Sequence, residues 1–115
     1  MESIAVVLFA IAALGGLVLA VQHFKKANLS LPLAVVHGLL AASGLILLLL
    51  SVIGGAASAN ATIALVLFVV AALGGFFLLS HHLRNKPLPS PVVVIHALAA
   101  VVAFLLLLVG LLAAS

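Results

Sequence analysis

Along this chain polar residues do not alternate with apolar ones; they gather in three short breaks. Between the breaks run four uncharged apolar stretches, at about residues 4–21, 31–53, 61–79 and 92–114. Crossing a hydrocarbon core about 30 Å thick takes about 20 residues of helix, and each stretch is of that order. Helix is the expected element because lipid offers no partner to an open backbone, and a closed barrel needs many more segments. Pro32 and Pro91 open the second and fourth stretches, where a missing N–H leaves nothing unsatisfied, and Ser90 is placed to cap the fourth. Residues 54–62, GGAASANAT, read as a neutral turn of small residues. The first stretch is expected to remain as a span and not to be cleaved as a signal peptide. Glu2 stands where a basic segment belongs, and the run leads into a hairpin partner.

The second half repeats the first. Residues 4–56 and 63–115 align without a gap at a constant offset of 59, with 21 of 53 positions identical. LFAIAALGG answers LFVVAALGG, and His23, Pro32 and His37 answer His82, Pro91 and His96. Each copy holds two spans, so both copies share one orientation, related by an axis along the membrane normal. The predicted fold is therefore all-α: one membrane domain over residues 1–115, a four-helix transmembrane bundle built from two parallel helical-hairpin repeats.

Composition sharpens this. Of 115 residues 69% are hydrophobic and 4% charged, with a mean hydropathy of +1.67. A soluble domain carries about 25% charged residues, so lipid has to be the solvent here. Cysteine is absent, which removes disulfides, thiolate ligands, iron–sulfur clusters and c-type haem attachment. All four cations, Lys25, Lys26, Arg84 and Lys86, fall in the loops at 24–30 and 83–89. Membrane topology accounts for them better than nucleic-acid binding does. The excess of Lys and Arg places both loops in the cytoplasm of a bacterial inner membrane and both termini outside. Trp and Tyr are missing as well; the usual interfacial aromatic belt is therefore absent, which suits an oligomer whose neighbours cover part of the perimeter.

Against this background the histidines stand out, because an ionisable group inside a membrane is costly and is by default a functional candidate. His37 and His96 lie about 9 Å inside their helices at 1.5 Å per residue. His23 and His82 occupy the last turn of the preceding helices. At helical spacing each heads a stripe of small residues: Ala41 and Gly44 after His37, Ala100 and Ala103 after His96, Gly16 and Ala20 before His23, and Gly75 before His82. Such stripes serve close helix packing, or they leave room for a flat macrocycle beside its ligands. Neutral imidazole suits Fe, Zn, Cu and Ni and is the usual axial ligand of b-type haem. One haem needs a ligand on each face, and His37 with His96 at equal depth would supply them. Crossed pairs, His23 with His96 and His37 with His82, would hold two haems. Lys25, Lys26, Arg84 and Lys86 would then face the propionates, unless topology is their whole role.

With these residues the chain resembles the four-helix, bis-histidine membrane cytochromes b, b561-like in the broad sense. His37 and His96 deep in the second and fourth spans, and His23 and His82 at the ends of the first and third, carry the likeness. The resemblance implies haem b, electron transfer, and exchange with a quinone or another redox subunit. Several members of that class carry histidines toward both membrane faces; here the outer half of every span has none. Electron relay near the cytoplasmic face fits better than a wire across the membrane.

Other classes compete. A metal-binding membrane protein or permease could hold Zn, Cu or Ni on the four histidines. A cofactor-free structural subunit of a larger complex suits the short loops. Small multidrug transporters share the four-span design but depend on a glutamate embedded in the first helix, and Glu2 lies at the terminus. Enzyme chemistry has little support, because there are no paired carboxylates, nucleophile–base set or phosphate loop. The LGG pairs at 14–16 and 73–75 are helix-packing glycines, since no strand precedes them. His81 has Gln22 as its repeat mate and is given no role.

Overall fold

The computed structural model describes residues 2–55 and 57–114. Ala56 of the small-residue turn, which also ends the first repeat, Met1, and Ser115 at the end of the second repeat lie outside the described residues. Four helices form: α1 Glu2–Phe24, α2 Leu31–Ile53, α3 Ala59–Leu83 and α4 Ser90–Ala114. Each is long and apolar enough to cross a membrane. The second matches its apolar stretch residue for residue. The first and third run further, through Gln22 and His23 and through Ser80, His81 and His82. Hydropathy marks the part that matches lipid, whereas the helical hydrogen bonds continue until the backbone turns.

The helices pack as neighbours α1 on α2, α2 on α3, α3 on α4 and α4 on α1, more extensively within each repeat than between repeats. The bundle measures 42 × 19 × 19 Å, close to the roughly 40–45 Å of a bilayer with its headgroups. Leu, Val, Ile and Phe side chains cover its outside along all four helices. This is an integral membrane protein.

Inward-facing positions are mostly small. Ala5, Ala12, Ala61, Ala64, Ala71 and Ala103 are buried, with Leu48 and Leu107 the largest fully buried side chains. Besides the α2–α3 and α4–α1 faces, side chains of the two repeats meet across the diagonals. Phe9 of α1 stacks on its repeat mate Phe68 of α3, with ring centroids 3.9 Å apart and planes within 4°. Gly44 admits that stack: a Cβ there would lie 3.2 Å from three atoms of the Phe9 ring. The residue expected to leave room for a macrocycle thus lies against a phenyl ring, and its mate Ala103 is wholly buried in the same core cluster.

The helix ends are set by local chemistry. Ser30 caps α2 by accepting the Leu33 N–H at 3.3 Å, and Ser58 caps α3 by accepting that of Ala61 at 3.1 Å. α1 ends with Lys26 at φ 57° and α3 with Asn85 at φ 54°. Ala27 N–H reaches Gln22 O and Lys86 N–H reaches His81 O, each at 2.9 Å, so both helices close in matching left-handed caps. Ser90 does not cap α4 as expected. It is the first helical residue, and the carbonyl before it, on Pro89, accepts from Val92 and Val93 at 3.0 and 3.1 Å. Its hydroxyl is engaged elsewhere.

Candidate functional site

His37 and His96 face each other across the α2–α4 diagonal, with ring centroids 6.3 Å apart and planes at 86°. Six residues precede each within its helix, so the two lie at the same depth from the loop end. Each ring is fixed in the same way. His37 Nδ1 lies 2.7 Å from the Ala12 carbonyl oxygen of α1, and His96 Nδ1 lies 2.7 Å from that of Ala71 on α3. A carbonyl can only accept, so Nδ1 carries the proton and donates it. In the neutral ring Nε2 is then left with its lone pair. This is the arrangement that orients a metal-ligating histidine, its other nitrogen donating to a backbone carbonyl.

The paired glycines make this geometry possible. A Cβ on Gly16 would lie 2.9 Å from His37 Cε1, and one on Gly75 would lie 3.1 Å from His96 Cε1. A Cβ on Gly15 would lie 3.7 Å from His37 Cβ, and one on Gly74 would lie 3.5 Å from His96 Cβ. The LGG pairs therefore pack helices, as expected, but by admitting the imidazole of the partner helix in their own repeat. Ala41 and Ala100, one turn beyond the histidines, are half-buried.

The other two histidines lie in a different layer. His23 Nε2 is 2.9 Å from Ser90 Oγ, tying the end of α1 to the start of α4 across the repeats. His23 and His82 line a cleft of about 650 Å³ between the two loops, together with Lys26, Asn28, Asn85 and Lys86. Lys25 and Arg84 are exposed and do not line it; the Arg84 guanidinium folds back onto the Ser80 carbonyl at 3.2 Å and hydroxyl at 3.3 Å. The structure thus brings together His37 with His96 and separates them from the His23 and His82 layer. Among the described residues no group of three or more metal-ligating side chains forms.

The Phe9–Phe68 stack was not anticipated, although it had a signal, since both occupy one position of the repeat. The loss of symmetry at Gln22 and His81, visible in the sequence, has a physical reason. Gln22 Oε1 accepts the Ser30 N–H at 3.3 Å. The mate of Ser30 is Pro89, which has no N–H to donate, so position 81 needs no acceptor. His81 instead donates to its own helix at the Phe77 carbonyl, 2.9 Å away.

Comparison with protein-family models, with curated proteins and with solved structures found no match for this chain.

Proposed function

We propose that this protein is a b-type haem protein of a bacterial inner membrane, with His37 and His96 as the axial ligands. Both loops lie in the cytoplasm, and the protein relays electrons near that face, exchanging them with a quinone or a partner redox subunit. The observation that carries this reading is the matched pair of imidazoles, each held through Nδ1 and each leaving Nε2 free. His37 and His96 would hold the haem between them, and their ring centroids stand 6.3 Å apart.

The donor set supports haem over a bare ion. A structural zinc takes four protein ligands, and this layer offers two; haem brings four nitrogens of its own and needs two axial ones. The small residues of the layer, Gly15, Gly16, Gly74 and Gly75, keep helix backbone close to the rings without side-chain bulk. When bound, haem supplies one-electron redox chemistry. The chain's part is to hold the ring tautomers, through the Ala12 and Ala71 carbonyls, and to surround them with apolar side chains that exclude water.

A second reading has its own observation. Each imidazole fills a glycine notch and bonds one helix to its neighbour, which is complete as a packing device without any cofactor. The two separate on haem content. The His37→Ala and His96→Ala proteins should insert in the membrane and each lose bound haem. Retention of haem by both would overturn the assignment.

A further inference from the structure

The cleft between the loops holds an unbalanced charge. Lys26 and Lys86 line it together with Asn28, Asn85, His23 and His82, and no acid is near: Glu2, the one acidic residue of the chain, begins α1 at the opposite end of the bundle. The two lysines are not repeat mates. Lys26 answers Asn85, and Lys86 answers Ala27. Lys25 and Arg84, which are mates, remain outside the cleft. A role in topology alone would be met by any basic residue of either loop. Here the turns instead deliver one lysine and one asparagine from each loop to a shared space. Lys26 occupies its turn at φ 57°, a conformation that glycine would adopt more easily.

We infer that this cleft is a binding site for a phosphate group. Two ammonium groups and two carboxamides offer more donors than a flat carboxylate can accept, whereas a tetrahedral phosphate has several acceptor oxygens and enough charge to answer both lysines. The depth of the cleft favours a lipid headgroup as the source. Helices of 23–25 residues run about 34–38 Å at 1.5 Å per residue, longer than a hydrocarbon core of about 30 Å. Their connecting loops therefore lie at the level of the headgroup phosphates.

The test uses the whole chain in dodecylmaltoside, haem-free, with short-chain (dihexanoyl) phosphatidic acid as the probe and titration calorimetry as the readout. Saturable binding is expected. The Lys26→Ala/Lys86→Ala protein should bind at least about tenfold more weakly, the equivalent of one lost charge-assisted hydrogen bond. The Lys25→Ala/Arg84→Ala protein, with the same change in net charge, should bind as the parent does. Inorganic phosphate that displaces the probe would assign the site to free phosphate; failure to displace it would assign the site to lipid. Equal weakening in both double variants would reduce the effect to diffuse charge and overturn the proposal, as would the absence of saturable binding. Binding that vanishes when haem is loaded would give the lysines to the propionates and overturn it too, without touching the histidine assignment.

Discussion

Replacing Gly16 with alanine places a methyl 2.9 Å from Cε1 of His37, well inside van der Waals contact. The imidazole has to move, and its Nδ1–H is drawn from the 2.7 Å bond to Ala12. Overpacking costs about 1–3 kcal/mol, and an interhelical hydrogen bond in a membrane bundle averages about 0.6 kcal/mol. Alanine returns about 1 kcal/mol through its better helix propensity. The net expectation is destabilisation by about 1–2 kcal/mol. The other glycines provide an internal scale. Gly75→Ala meets His96 Cε1 at 3.1 Å and should cost less; Gly15→Ala and Gly74→Ala make ordinary contacts at 3.7 and 3.5 Å and should be near neutral. At Gly38 nothing lies within 4 Å, so alanine should stabilise by the propensity term alone. Helicity followed by circular dichroism through an SDS titration of maltoside-solubilised protein orders the series. If Gly16→Ala unfolds at the same SDS fraction as Gly38→Ala, the imidazole does not occupy the glycine notch and the histidine layer is misassigned.

Three further outcomes follow from the packing and the turns. Phe9→Ala removes half of the stack at the centre of the bundle and should destabilise by about 2–3 kcal/mol, less than in a soluble core because lipid is itself apolar; an unchanged SDS midpoint would contradict the stack. Lys26→Gly relieves a non-glycine residue at φ 57° and should stabilise by about 1 kcal/mol, whereas Asn85→Gly should gain less because asparagine tolerates this conformation. Single cysteines at positions 25 and 84 should react with an impermeant maleimide from the same side of sealed vesicles, and labelling from opposite sides would refute the parallel repeats.

The spans and the duplication were readable because both are properties of composition and order: lipid demands long apolar helices, and an offset of 59 is visible without coordinates. His37 and His96 were also readable as a pair, since the repeat makes their depths equal. What they bond to was not. The acceptors are the carbonyls of Ala12 and Ala71, and every residue carries a carbonyl, so the sequence has no mark for it. The small-residue stripes were ambiguous for a related reason. A missing side chain says that something comes close, but not whether it is the Phe9 ring at Gly44 or an imidazole at Gly16. Which cations face the cleft was equally hidden, because it is decided by left-handed caps at Lys26 and Asn85, neither of them glycine. The expected cap at Ser90 failed because the Pro89 carbonyl already receives the first helical N–H groups, which frees the hydroxyl for His23.

Whether the Nε2 atoms of His37 and His96 hold a haem is decided by an absorption spectrum. Detergent-purified protein, expressed with haem supply, is recorded oxidised and then after dithionite, with iron and haem measured on the same sample. One haem per chain is expected, with a Soret band that sharpens and moves to longer wavelength on reduction. A preparation that is colourless, and remains so after haem is added, would contradict it and leave the two imidazoles as ties between helices.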